Sequence, residues 1–198
     1  MNGITQIGIF IKSPSIEIVE CCGLVGIDFV VLDIEHTPLD IGKLKPLVIA
    51  AELNGLKVIV RLPNKKEEYV KWCLDLGINH IQIPNVENIK DVNKIIDYAY
   101  FYPVGQRGLC RYVRAANYSL TDGRQYISDS KSKVNIIYQI EGKSGLKNFN
   151  HIIKNDKVKS IFIGPYDLSQ SLGCPGDIWN DKVIENSKKI IEKCKIEN

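Results

Sequence analysis

Short runs of β-branched and apolar residues alternate along the chain with stretches in which apolar positions recur every three or four residues. This is the pattern of parallel strands joined by crossover helices. Strands are predicted over residues 4–11, 28–33, 56–61, 80–83, 134–140 and 159–163, and helical spacing marks residues 16–24, 39–53, 67–76, 92–99, 146–153 and 183–194. Phe29-Val30-Val31-Leu32 and Ser160-Ile161-Phe162-Ile163 are apolar almost throughout, so both faces of these two strands are expected to be covered. A helix that starts near Ile89 must end before Tyr102-Pro103, because proline disfavours helical geometry in the residue before it. Residues 103–118 then form a long loop carrying Gly105, Arg107, Gly108, Arg111 and Arg114, and loops of that length often serve function.

Strict strand–helix alternation fits an open doubly wound sheet or a closed (β/α)8 TIM barrel. The polar residues favour the barrel. Asp33, Glu35, His36, Arg61, Gln139, Glu141 and Asp167 all sit at or just beyond the C-terminal ends of four separate predicted strands, where barrel enzymes keep their chemistry. An open sheet would gather such residues at one crevice. The expectation is a single (β/α) barrel domain over residues 1–198. A full barrel has eight strands in about 250 residues, so strands seven and eight and a final helix are expected to be missing from this chain.

Composition narrows the class further. With 44% apolar and 25% charged residues in 198, the chain can bury one sizeable core. Its net charge of +3 is not gathered into a block of one sign, which argues against nucleic acid as a partner. No apolar stretch reaches the roughly 18 residues of a membrane span, and Met1-Asn2-Gly3-Ile4 does not open a signal peptide, so a cytoplasmic protein without a membrane partner is expected. Six cysteines without C-x-x-C spacing read as reduced thiols, with Cys21 and Cys73 acting as small apolar residues of helices. Trp72 and Trp179 read as packing residues, and His80 and His151 as structural or solvated.

Three segments carry candidate chemistry. Asp33-Ile34-Glu35-His36-Thr37 places two carboxylates and a histidine at the end of a buried strand. They can bind a metal or orient the histidine as a base, or else Asp33 or Thr37 caps the next helix while His36 faces solvent. Arg61 ends an apolar strand, and a buried guanidinium needs an anion, which is either a substrate oxygen or an internal partner such as Asp33 or Glu35. Gln139 and Glu141 share one face of their strand because they are two residues apart. In Phe162-Ile163-Gly164-Pro165-Tyr166-Asp167 a Gly-Pro turn brings Asp167 to the rim, or Asp167 caps a helix. Two carboxylates with no thiolate nearby suit a hard cation such as Mg²⁺ or Mn²⁺ that keeps several waters.

In this order and spacing, Asp28-Phe29-Val30-Val31-Leu32-Asp33-Ile34-Glu35-His36, Val60-Arg61, Gly105-Gln106-Arg107-Gly108, Gln139-Ile140-Glu141 and Phe162-Ile163-Gly164-Pro165-Tyr166-Asp167-Leu168-Ser169 resemble the HpcH/HpaI aldolase/citrate lyase family over almost the whole chain. The resemblance implies a class II pyruvate aldolase cleaving 4-hydroxy-2-oxo acids to pyruvate and an aldehyde. It implies Mg²⁺, Mn²⁺ or Co²⁺ held by Glu141 and Asp167, with Gln139 beside the metal. His36 would be the catalytic base oriented by Asp33, Arg61 the essential cation, and Glu35 an organiser of metal-bound water. Gly164, Pro165, Tyr166 and Asp167 would line the place of the oxo acid, and the partner expected is another copy of the chain in a homo-oligomer. The same family contains acyl-CoA lyases of the citrate lyase β-subunit and malyl-CoA type, and an inactive truncated barrel is the third alternative.

Overall fold

The computed structural model describes residues 5–197, so Ile4, at the start of the first predicted strand, and Met1 to Gly3 lie outside the described residues. The fold is α/β, and its strand order follows the chain, β1-β2-β3-β4-β5-β6. Two compact units make it up, one containing the chain through Ile81 together with Gly108–Val134, the other Gln82–Arg107 together with the chain from Asn135.

In the first unit β1 (Gly8–Ile11), β2 (Phe29–Asp33) and β3 (Lys57–Arg61) are parallel, with Ile11 opposite Leu32 and Asp33 opposite Arg61. Helices α1 (Ile16–Leu24), α2 (Leu44–Leu53) and α3 (Glu67–Asp75) follow the three strands, α1 packing on α2. Ser15 starts α1 by accepting the Ile18 N–H, and this satisfies a first-turn donor with no helical partner. The predicted helix from Leu39 begins only at Leu44, because Asp40 caps a 3-10 turn at Ile41–Lys43 first.

Helix α5 (Gly123–Lys133) closes this unit and was not anticipated. Only Tyr126 and Ser130 are buried along it, so no apolar stripe announces it. Local chemistry holds it instead. Asp122 accepts the Arg124 and Gln125 N–H groups at 2.9 and 3.2 Å, and Lys133 meets Asp129 one turn earlier at 3.0 Å.

The second unit contains β5 (Asn135–Ile140) and β6 (Ser160–Ile163), parallel with Ile140 opposite Ile163. It also holds α4 (Ile89–Ala99), α6 (Lys143–Ile153) and α8 (Asp181–Glu197), with α6 packed on both of the others. In α4 the buried Val92, Ile95, Ile96 and Ala99 form one stripe, and Asn88 caps the first turn. Strand β4 (His80–Ile83) spans the boundary between the units.

Several expectations are corrected. β6 is half-buried along its length rather than covered on both faces, as befits a strand that ends the sheet order. Gly164-Pro165 is no simple turn, since helix α7 (Pro165–Ser171) begins there, with proline at the first position, where its missing N–H costs nothing. Cys73 is buried and its thiol pushed up by that burial, but Cys21 is exposed while its neighbour Cys22 is buried. Trp72 packs edge-on against Tyr69 at 5.7 Å while 46% exposed, whereas Trp179 is 78% exposed. Among the described residues no helix is long and apolar enough to cross a membrane.

Candidate active site

The first unit concentrates its polar chemistry at the carboxyl ends of β2 and β3. Asp33 and Arg61 are register partners, so their side chains emerge side by side on one face. Arg61 donates from Nε to Asp33 Oδ1 at 2.9 Å and from Nη2 to Oδ2 at 2.6 Å, a two-pronged pair in which Asp33 is fully buried and Arg61 8% exposed. Glu35 Oε2 lies 3.3 Å from Arg61 Nε, and the guanidinium stands over the Phe10 ring at 4.8 Å. Lys12 reaches to 3.9 Å from Asp33 Oδ2.

The chain after β2 folds back on the same carboxylate. Asp33 Oδ1 accepts the backbone N–H groups of Glu35 at 3.1 Å and His36 at 3.4 Å, and the Thr37 hydroxyl donates to the Asp33 carbonyl. Burial raises the Asp33 pKa, but the Arg61 bonds and charge and the two backbone donors outweigh it, and the group is held below its ordinary value. Asp33 therefore stays ionised and keeps Arg61 in one orientation. Asp33 organises the turn that follows β2, the next helical turn is capped by Asp40 rather than by Asp33 or Thr37, and His36 is exposed. The imidazole is not oriented by the Asp33 carboxylate, which is occupied by Arg61 and backbone; its Nε2 lies 3.6 Å from Glu35 Oε2 instead.

The second unit builds a different cluster at the ends of β5 and β6. Glu141 and Gly164 each stand one residue past the last register pair, and the Gly164 N–H donates to the Ile140 carbonyl at 3.2 Å. A Cβ on Gly164 would overlap Glu141 Oε2 and lie 2.9 Å from Glu141 Cβ and 3.3 Å from Gln139 Nε2. Glycine is thus what leaves room for the carboxylate. Glu141 is buried, Asn85 donates its backbone N–H to Oε1 at 2.7 Å, and Gln139 Nε2 donates to Oε2. Asp167 is exposed in the first turn of α7, and Tyr166 beside it is 66% exposed.

Among the described residues no three His, Cys, Asp or Glu side chains gather into a metal cage. The donor set that is present still fits a hard divalent cation. Glu141, a buried carboxylate at the end of β5 given room by a glycine, and Asp167, an exposed carboxylate in the first turn of α7, are both oxygen donors, and Mg²⁺-like ions take one or two carboxylates and keep their waters.

The arginine loop is engaged within its own units. Arg114 forks onto Glu52 and the Leu76 carbonyl, Arg111 donates to the Ser119 and Thr121 carbonyls, and Arg107 is buried with its guanidinium 4.7 Å over Phe101. Sequence reasoning passed over Gln82 and Asn85. The signal for Gln82 was a lone amide between the buried Ile81 and Ile83.

The class is that of an α/β protein with carboxylates and a buried arginine at the carboxyl ends of its parallel strands. The profile of the HpcH/HpaI aldolase/citrate lyase family matches residues 6–198, and the chain belongs to that family. It is 32% identical to a 5-keto-4-deoxy-D-glucarate aldolase of Enterobacter sp. (strain 638), covering 96% of this chain and 73% of the relative. It is 30% identical to a 2-keto-3-deoxy-L-rhamnonate aldolase of Salmonella gallinarum, over 98% of this chain and 70% of that one. The crystal structure of an HpcH/HpaI aldolase/citrate lyase family protein from Burkholderia cenocepacia superposes with a TM-score of 0.91 at 27% identity, covering 97% of this chain and 76% of that protein.

Proposed function

We propose that this chain is a divalent-metal-dependent aldolase that cleaves 4-hydroxy-2-oxo acids to pyruvate and an aldehyde. The observation that carries the reading is Arg61, a guanidinium buried at a strand end and locked by Asp33 on two bonds. Such a cation is already desolvated and oriented, so it meets developing negative charge without reorganising. The names of the two relatives both describe oxo acids with a deoxy carbon, which supports sugar-derived 2-oxo acids as the substrate class.

Cleavage breaks the C3–C4 bond. His36 accepts the proton of the C4 hydroxyl, the C4 carbon leaves as the aldehyde, and the bonding electrons move onto the C2 oxygen of what becomes pyruvate enolate. Arg61 faces that oxygen, and Glu35, between Arg61 and His36, orders the water that links them. Gln139, Gly164, Pro165, Tyr166 and Asp167 position the oxo acid. Glu141 and Asp167 would hold a cation, Mg²⁺, Mn²⁺ or Co²⁺, which would supply Lewis-acid chemistry when bound. A cytoplasmic homo-oligomer completes the reading.

The test is pyruvate release from a panel of 4-hydroxy-2-oxo acids with and without chelator. Release that chelator abolishes and Mn²⁺ restores is expected, and Arg61→Ala should lose cleavage while still binding Mn²⁺. A strict need for a CoA thioester would move the chain to the acyl-CoA branch of the family, and full turnover by Arg61→Ala would refute the role given to that residue.

A further inference from the structure

Gln82 is a polar residue where the fold offers every reason for an apolar one. Its neighbours in β4, Ile81 and Ile83, are completely buried, and Gln82 itself is 1% exposed. Burying an amide in such surroundings costs free energy unless its polar atoms are hydrogen-bonded. Its Nε2 donates to Oε1 of Gln139, which is equally buried, and Gln139 Nε2 in turn donates to Glu141 Oε2.

The bonds run in one direction. Gln139 presents its NH₂ to Glu141 and its oxygen to the other side. That oxygen needs a donor, and Gln82 provides it. A hydrophobic residue at 82 would leave the Gln139 oxygen buried without this bond and remove the preference that keeps the amide from turning over. The other Glu141 oxygen is fixed separately by the Asn85 N–H at 2.7 Å, from a residue in the left-handed region at φ 49° just beyond β4. The carboxylate is therefore held at Oε1 directly from the segment that contains Gln82, and at Oε2 by Gln139, on which Gln82 acts.

We infer that Gln82 is a positioning residue for the cation site: by setting which face of Gln139 meets Glu141, it sets the direction in which Glu141 offers its oxygens to a divalent ion. The inference rests on the reading of Glu141 as a metal ligand. Gln82 touches no substrate or cation itself and acts only through Gln139. Partners that orient a metal ligand typically change affinity by about 10-fold to 100-fold when removed.

Mn²⁺ titration of the whole chain by calorimetry tests this without any turnover. Gln82→Met keeps the length of the side chain and removes the donor, and it should weaken Mn²⁺ binding by about 10-fold. Gln82→Val, β-branched and suited to a strand, carries the same expectation should the methionine variant not fold, folding being checked by thermal melt. In a Gln139→Met background the change at 82 should add less than about twofold, since residues that act through one another are not additive. Wild-type affinity in a folded Gln82 variant, or a full additional loss in the Gln139→Met background, would overturn the inference while leaving the metal reading intact. Absence of saturable Mn²⁺ binding by the wild type, or binding undiminished in Glu141→Gln, would overturn both.

Discussion

Arg61 and Asp33 bear the most weight in the first unit, and a mutant cycle separates what they contribute to folding from what they do in chemistry. Breaking a buried ion pair by removing one partner typically costs about 3–5 kcal/mol, because the other charge stays buried. Here each survivor keeps some support. Arg61 retains Glu35 at 3.3 Å and the Phe10 ring, and Asp33 retains the Glu35 and His36 N–H groups and Lys12. Asp33→Leu and Arg61→Met should therefore each cost toward the lower bound, about 3 kcal/mol. At a urea dependence of roughly 2 kcal/mol per molar, each single variant loses about 1.5 M in unfolding midpoint. The double variant removes both charges, and replacing a buried pair by apolar residues is often close to neutral. The two N–H groups left without the Asp33 oxygen set its cost at about 1–2 kcal/mol, or a fall below about 1 M. The assay is urea unfolding of the four proteins followed by fluorescence and circular dichroism. A double variant that falls by the sum of the singles, about 3 M, would refute the reasoning, as would single variants indistinguishable from wild type. The folded double variant should still fail to release pyruvate, because the cation we propose for the C2 oxygen is gone.

Further outcomes can be checked alongside. Since Asp33 is held below its ordinary value of 3.8, its contribution to stability is complete above that value and is lost as pH falls through the depressed one; acid unfolding below pH 3.8 should flatten in the Asp33→Leu/Arg61→Met variant. Gly164→Ala forces a Cβ against Glu141, so a stability loss of about 1–3 kcal/mol from overpacking should accompany weakened Mn²⁺ binding, read by melt and titration. Asp122→Ala removes the cap of a helix with no apolar stripe, and about 1 kcal/mol of stability with faster amide exchange in Gly123–Lys133 should follow, without effect on Mn²⁺ affinity. Glu141→Ala should abolish Mn²⁺ binding and pyruvate release together.

The sequence by itself determined where most elements lie and which strand ends carry charge. The continuous apolar run Val30-Val31-Leu32 reads as a buried strand and is one, and the carboxylate that ends it emerges at the strand's carboxyl end. α5 escaped because its stability comes from a cap and ion pairs rather than from a buried face, and α7 because a Gly-Pro pair reads as a turn when the helix it starts is two turns long. What only the tertiary structure decided is pairing. That Asp33 turns to Arg61 and to its own following backbone, leaving His36 beside Glu35, depends on the β2–β3 register, which no local pattern encodes. The same holds for Gln82, whose amide has meaning only because residues 57 positions away in the chain place an acceptor at its end. A hydrogen bond needs two atoms within about 3 Å, and separation along the chain says nothing of that distance until the strands are side by side.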